Sequence, residues 1–303
     1  MDTIFKSVSI NEFKGSDKEY HALKTHLSAS GMKILKQSPA HFANREEEEQ
    51  ESDALRFGSA YHCLILQPEN FESEFYVFDD SAIIDILVGE GFKNPRATNK
   101  YKEWQEAEMA KVGVRTTLSK DEYKRMERMR NVLMSHPYAK KLLTGGVAEQ
   151  GYIGTLHTDE GDVDVKIKPD YQKEKGKLII DLKTTRDASR DGFPRLAADG
   201  NYHIQAAFYS DVLEAYYNDG MSRTFIFIAQ EKVAPYAFNL FECSPQFITQ
   251  GRYEYSQLLK LYKHCLENDD WRGYQVFCES RYGLLDLELP PYTIRPLEFY
   301  KHK

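Results

Sequence analysis

The pattern of apolar and polar positions changes character near Gly145 and Gly146. Before this point apolar residues recur at helical spacing, which predicts helices at 28–38, 54–68, 98–112, 119–135 and 137–143. After it, the alternation predicts strands at 148–158, 163–171 and 178–185 joined by tight hairpins, then a helix at 201–217, strands at 223–231 and 234–242, and a helix at 245–268. This order predicts an α/β or α+β core preceded by a helical N-terminal wing.

The same pattern suggests how the chain is divided. We predict a loosely structured lead-in, one main domain with two parts, and a tail, at 1–27, 28–270 (wing 28–145, core 146–270) and 271–303. Within the wing, the acidic run REEEEQESD at 45–53 has no periodicity and predicts a mobile loop. Residues 70–96 favour neither helix nor strand.

Composition is typical of a protein with a sizeable core. Of the 303 residues, 41% are hydrophobic and 13% aromatic. The N-terminus shows no secretory leader, and no apolar run reaches the ~18–20 residues that a membrane span needs. The four cysteines are few and widely spaced, which favours free thiols and a reducing compartment. We therefore expect a cytoplasmic protein without a membrane partner.

Charge is unevenly distributed along the chain. The formal net charge is −7, yet Lys93–Lys141 holds 13 Lys and Arg against 6 Asp and Glu, so this segment carries +7 and the rest −14. A local basic segment can bind phosphates on an acidic protein. A solvated helix face explains the same run equally well, so the charge pattern leaves both alternatives open.

The strand KLIIDLKTT at 177–185 carries charged residues where an apolar strand is expected. Leu178, Ile180 and Leu182 form one face, while Asp181 and Lys183 share the other. An isolated charge in such a strand is costly unless it is paired or bound to a metal. The preceding strand, VDVKIKPD, ends in a further carboxylate, Asp170.

These three residues are candidates for a divalent-metal site with a catalytic lysine. Mg²⁺ prefers oxygen ligands and usually takes one or two carboxylates, which Asp170 and Asp181 would supply. Lys183 projects from the same face as Asp181, within reach of a water or a phosphate. The alternative is a structural ion pair at a strand end.

Four further residues are weaker candidates. His62 lies on an apolar helix, where a buried histidine without a ligand is the more common case. Gln205 and Tyr209 share one helix face and could contact a phosphate or hold Lys183, or could be ordinary half-buried polar residues. Glu149 opens the first predicted strand and could join the cluster or face solvent.

Four ordered motifs together resemble a known class of nucleases. They are GSAYH at 58–62, KPD at 168–170, DLK at 181–183 and QAAFY at 205–209. Their order is similar to that of the RecB-type branch of the PD-(D/E)XK nucleases. With SASGMKILKQSPAHF at 28–42, the chain resembles the catalytic domain of RecE-type exonuclease VIII over most of 25–270. The implied fold is a restriction-endonuclease-like core, a central mixed sheet flanked by helices.

The resemblance also implies a site. His62, Asp170, Asp181 and the Leu182 carbonyl would hold Mg²⁺, or Mn²⁺ in its stead, with Glu149 as a possible further ligand. Lys183 would orient the attacking water or stabilise charge on phosphorus. Gln205 and Tyr209 would position the DNA or the lysine.

The implied activity is 5′→3′ digestion of linear double-stranded DNA, which leaves 3′ single strands for a single-strand annealing protein. Members of this family form toroidal tetramers, so a homotetramer is expected by resemblance.

The same branch and the same fold include two alternatives to this function. CRISPR-associated and AddB-type nucleases of the same branch carry an iron–sulfur cluster, but Cys63, Cys243, Cys265 and Cys278 depart from their spacing. The second alternative is a catalytically inactive DNA-binding protein on the nuclease fold. The intact set of Asp170, Asp181 and Lys183 argues against it.

Overall fold

The computed structural model describes residues 5, 7–45, 52–274 and 287–289. In chain order, the elements of the first half are β1 Ser7–Glu12, α1 Asp17–Ala22, α2 Ala29–Gln37, α3 Pro39–Ala43, α4 Asp53–Leu66, α5 Phe71–Glu74, β2 Phe75–Phe78, α6 Ser81–Gly89, a 3₁₀ turn Pro95–Ala97, α7 Asn99–Val112, β3 Thr116–Ser119, α8 Lys120–Ser135 and α9 Pro137–Leu142. Those of the second half are β4 Val147–Ala148, β5 Tyr152–Thr158, β6 Gly161–Ile167, β7 Tyr171–Lys173, β8 Leu178–Thr185, α10 Phe193–Asp199, α11 Tyr202–Tyr217, β9 Thr224–Glu231, β10 Phe238–Glu242 and α12 Pro245–Asn268.

A mixed five-stranded sheet forms the centre of the fold, in the order β10-β9-β8-β7-β4. Strands β8 and β9 are parallel and the other neighbours are antiparallel. Because parallel neighbours need a crossover connection, α10 and α11 lie between β8 and β9 in the chain. An antiparallel three-stranded sheet, β1-β5-β6, and a parallel pair, β2-β3, complete the strands.

The prediction of three successive hairpin strands is wrong at one point. The predicted strand 163–171 divides into β6, which pairs with β5, and β7, which pairs with β8 in the central sheet. The break falls at Lys168–Asp170, where Pro169 has no N–H to donate to a ladder. Asp170 therefore lies in the link between two sheets and not at the end of a strand.

The N-terminal segment is more ordered than predicted. Within 1–27, β1 pairs antiparallel with β5 from Ser7 opposite His157 to Glu12 opposite Tyr152, and α1 follows it. The helix α2 ends before Pro39 as predicted, but Pro39 begins α3, since proline suits the first position of a helix. The region 70–96 holds α5, β2 and α6. The division into domains stays a prediction.

Two predicted segments lie largely outside the described residues. Of the acidic run at 45–53, residues 46–51 lie outside them, and of the predicted tail only 271–274 and 287–289 lie inside. Among the described helices, none combines the length and the apolar character that crossing a membrane requires.

The central sheet separates two hydrophobic cores, and β8 contributes to both. Ile180 and Leu182 pack among residues of α4, α8 and α9 on one side. Ile179 packs on the other side, among residues of α2, α11, α12 and the three-stranded sheet. The polar positions Asp181 and Lys183 continue the second face, so they point toward α2 and α11.

The contact between α11 and α12 depends on a glycine. A Cβ on Gly251 would lie 2.0 Å from the carbonyl oxygen of His203, so the two helices meet backbone to backbone. We expect Gly251→Ala to destabilise the protein by about 3 kcal/mol, because neither backbone can move without disturbing the core. Gly89→Ala on α6, where a Cβ meets nothing within 4 Å, is the matched control. Chemical denaturation measures both, and equal stabilities of the two variants would contradict the prediction.

Candidate metal centre and active site

Strand β8 brings an acid and a base together inside the protein. The Asp181 side chain is 1% exposed, and its Oδ1 lies 2.6 Å from the Lys183 Nζ. Its other oxygen, Oδ2, accepts a hydrogen bond of 2.6 Å from the Gln205 Nε2 of α11. Both oxygens of this buried carboxylate are therefore engaged by groups from β8 and α11.

The charges of this pair are set by burial and by neighbours. Burial raises the pKa of Asp181, the nearby charge of Asp170 raises it further, and Lys183 opposes the rise. Burial lowers the pKa of Lys183, but the negative charges of Asp181 and Asp170 outweigh burial, so the pKa lies above its ordinary value. Lys183 therefore stays protonated and is suited to stabilise negative charge.

Asp170 is fixed by the neighbouring strand and faced by a helix. Its Oδ2 accepts a 2.8 Å hydrogen bond from the backbone N–H of Leu182, and the same oxygen lies 3.5 Å from the His62 Nδ1. Gly58 lies one turn before His62 on α4 and packs beside β8, where a Cβ would be 3.8 Å from the Thr184 Oγ1, an ordinary van der Waals contact.

Glu149 joins the site through an unusual backbone conformation. Its φ of 52° lies in the left-handed region, which costs energy for a residue with a Cβ. In this conformation its N–H donates to the Asp170 carbonyl over 3.0 Å, and its Oε2 lies 3.0 Å from the Lys168 Nζ. Burial raises the pKa of Glu149, and the charge of Asp170 raises it further.

Three of these residues form a candidate metal site. Among the described residues, His62, Glu149 and Asp170 each offer a ligand atom, and these atoms all lie within 4.8 Å of one another. Two carboxylates and an imidazole suit a divalent cation. The raised pKa values of Glu149 and Asp181 fit the same interpretation, because repulsion from Asp170 contributes to each and a cation would relieve it.

The predicted ligands are brought together only in part. His62 and Asp170 lie in the group, and Glu149, a secondary candidate, lies there too. Asp181 lies next to the group but is held by Lys183 and Gln205, so a direct metal bond to Asp181 stays a prediction. The same is true of the Leu182 carbonyl, since the contact seen at Leu182 is made by its N–H.

The two candidates on α11 have different surroundings. Gln205 holds Asp181, whereas the sequence suggested that it could hold Lys183. Burial keeps the pKa of Tyr209 well above its ordinary value, so its hydroxyl stays neutral. Tyr209 lines a cavity next to the site, together with Lys168.

Three residues near the site were not identified from the sequence: Lys33, Lys168 and Tyr202. Lys168 belongs to the quoted KPD motif, but its role depends on Glu149, which is distant in sequence. The ammonium groups of Lys33 and Lys183 both lie near the Tyr202 ring because α2, β8 and α11 pack together. No local pattern indicates such a meeting.

Within the described ranges, the cysteines give no support to an iron–sulfur site. Cys63 belongs to the core on the α4 side of the sheet, Cys243 packs against the opposite core, and Cys265 is buried on α12; all three are free thiols. Burial raises the pKa of Cys63 to about 12, as expected for an unreactive core thiol. Cys278 lies outside the described residues.

Comparison with known proteins identifies the fold. The crystal structure of a putative exonuclease from Eubacterium rectale superposes with a TM-score of 0.57 at 17% sequence identity, covering 92% of this chain and 96% of that one. None of the curated proteins matches the chain. A family profile that spans residues 28–281 confirms the PD-(D/E)XK fold and the nuclease resemblance drawn from the four motifs. The chain belongs to the family described as PDDEXK-like domain of unknown function (DUF3799).

Proposed function

We propose that this protein is a Mg²⁺-dependent exodeoxyribonuclease that degrades linear double-stranded DNA from 5′ to 3′ and leaves 3′ single-stranded overhangs. The observation that carries the proposal is a basic cavity next to the candidate metal site. Lys168 and Tyr209 line this cavity and also lie near the candidate metal ligands. Mn²⁺ would substitute for Mg²⁺, because both accept carboxylate ligands.

The roles of the site residues follow from their surroundings. His62, Glu149 and Asp170 would hold the metal, with Asp181 and the Leu182 carbonyl as further candidate ligands. A divalent cation bound here would polarise the phosphodiester and make a water ligand more acidic. Lys183 would stabilise charge on the phosphate oxygens, while Gln205 keeps Asp181 in position.

The cavity has the character of a phosphate site. Its volume is about 340 Å³, and no acidic residue occurs among the described residues that line it. Hydroxyl groups at the N-terminus of α2, from Ser28 and Ser30, add hydrogen-bond donors. The titratable basic residues of the lining are His21, Lys24, His26, Arg45, Lys166 and Lys168.

Lys166 is the strongest sign that an anion binds there. It is 7% exposed, and its Nζ donates to the Tyr20 carbonyl over 2.8 Å. No carboxylate lies within ion-pair distance of it in the described part of the chain. Burial lowers its pKa, and the nearby Lys24, Arg45 and Lys168 lower it further. A buried cation without a carboxylate partner is costly, and a bound phosphate would offset that cost.

The position of the cavity supports the proposed polarity. Lys168 lines the cavity and is two residues from Asp170, so a terminal 5′-phosphate bound in the cavity would bring the adjoining phosphodiester toward the metal ligands. A free 5′-phosphate is a dianion and suits this cationic lining better than an internal phosphodiester, which carries one charge.

The test uses linear duplexes with different ends. We expect Mg²⁺-dependent release of nucleotides from a 5′-phosphorylated duplex at least about 10-fold faster than from a 5′-hydroxyl duplex, because a charge-assisted contact is worth about 1.5–3 kcal/mol. Lys166→Met should abolish this preference and leave the slower 5′-hydroxyl rate nearly unchanged. Label released from 5′ ends before 3′ ends checks the polarity.

Two results would contradict the proposal. Release that begins at 3′ ends, or an unchanged preference in Lys166→Met, would remove the assigned polarity. Binding of duplex ends without any release in Mg²⁺ or Mn²⁺ would favour the alternative of an inactive DNA-binding protein.

Assembly, partner and location are parts of the same proposal. By resemblance we propose a toroidal homotetramer that encircles DNA and passes its 3′ strand to a single-strand annealing protein. Free cysteines in the described residues fit a reducing compartment such as the cytoplasm.

A further inference from the structure

A second lysine lies beside Lys183 and has no acidic partner among the residues that the structure describes. Lys33 of α2 is half-buried, and its Nζ lies 4.8 Å from the centroid of the Tyr202 ring. The Lys183 Nζ lies 5.2 Å from the same centroid. One aromatic ring therefore contacts two ammonium groups, each attracted by its π electrons.

The two lysines differ in how their charges are compensated. Lys183 is paired with Asp181 over 2.6 Å. Lys33 forms no ion pair with any residue in the described ranges, although Lys36, one turn later on α2, is paired with Glu254 over 2.5 Å. Burial lowers the pKa of Lys33 to about 8, Lys183 adds repulsion, and Asp181 opposes the shift.

This arrangement is unfavourable in the absence of a ligand. Folding partly removes the Lys33 ammonium from water and brings it near Lys183, while the nearby carboxylate of Asp181 is already paired with Lys183. Such strain is typical of functional positions, where a ligand supplies the missing charge. In a phosphodiester-cleaving site that charge is on the phosphate.

We propose that Lys33 contacts a non-bridging oxygen of the phosphodiester undergoing cleavage, and that Tyr202 holds Lys33 and Lys183 on that phosphate together. The inference rests on the proposed nuclease function. Negative charge on these oxygens grows toward the transition state, so a cation without a carboxylate partner stabilises the transition state more than a cation already paired. Lys33 would thus act as a catalytic residue beside Lys183.

The test compares Lys33→Met, Lys33→Arg and the matched control Lys36→Met. Binding of a 5′-phosphorylated duplex is measured with EDTA present over a range of salt concentrations, and single-turnover cleavage is measured in Mg²⁺. We expect Lys33→Met to reduce the slope of log affinity against log salt by about 0.9, which corresponds to one lost phosphate contact. It should also slow single-turnover cleavage about 10- to 100-fold. Lys33→Arg should recover most of both losses, and Lys36→Met should match the wild type.

Stability separates this role from a structural one. Removing an uncompensated half-buried cation should leave the thermal midpoint of Lys33→Met unchanged or raise it. A Lys33→Met protein with wild-type slope and rate would overturn the inference, and so would a reduced slope with an unchanged single-turnover rate. A wild-type protein that cleaves nothing overturns the proposed function, and this inference with it.

Discussion

Replacing Lys183 by methionine is expected to destabilise the protein by about 3 kcal/mol and to slow DNA cleavage at least about 100-fold. The destabilisation arises because Asp181 is 1% exposed and would lose its cationic partner, which leaves a buried carboxylate held by Gln205 alone. The slower cleavage arises because Lys183 stays protonated and supplies positive charge beside the candidate metal ligands.

The destabilisation should depend on pH in a defined direction. The pKa of Asp181 is already raised above 3.8, and it should rise further without Lys183. The folded variant then binds a proton more tightly than the unfolded chain, so its stability falls as pH rises from 3.8 through the raised pKa. The penalty should be complete above that pKa and vanish in acid.

A double variant separates stability from catalysis. Asp181→Asn with Lys183→Met removes both charges, and we expect it to recover most of the lost unfolding free energy without recovering activity. Urea denaturation at several pH values and single-turnover cleavage supply the two measurements. If Lys183→Met is as stable as the wild type at neutral pH, the ion pair contributes nothing and the prediction is wrong.

Several parts of the site could be predicted because they depend on local sequence. The two-residue spacing of Asp181 and Lys183 puts them on one face of β8, and burial of that strand makes their pairing necessary. Gly58 and His62 are four apart on α4, so they share the helix face that lies against β8 and Asp170. Gln205 and Tyr209 share one face of α11 because they are four apart, and Gln205 contacts Asp181 of β8.

Other parts depend on contacts between distant segments. The Glu149 carboxylate reaches the site only because its left-handed backbone donates to the Asp170 carbonyl, and no periodicity in the chain indicates that turn. The link at Pro169 was missed because apolar and polar positions alternate on both sides of the proline, although the segment serves two sheets. Strand β1 was missed since a short edge strand with mostly exposed residues carries little hydrophobic signal.

Replacing Asp170 by asparagine is expected to slow cleavage about 1,000-fold while making the metal-free protein more stable by about 1 kcal/mol. The loss of rate follows from removing the central carboxylate of the candidate metal site, at a cost of about 4 kcal/mol to the transition state. Folding should be preserved, because the asparagine oxygen can still accept the hydrogen bond from the Leu182 N–H.

The gain in stability has an electrostatic origin that metal titration can isolate. The charge of Asp170 raises the pKa values of both Glu149 and Asp181, so its removal relieves repulsion in the folded state when those groups are ionised. Since the wild type relieves the same repulsion by protonation in acid, the advantage of the variant should shrink as pH falls.

Thermal unfolding with EDTA and with Ca²⁺, alongside the exposed control Asp85→Asn, measures these effects. The wild type and the control should gain stability from the cation, whereas Asp170→Asn should gain little; an equal gain in all three would mean that the cation binds elsewhere.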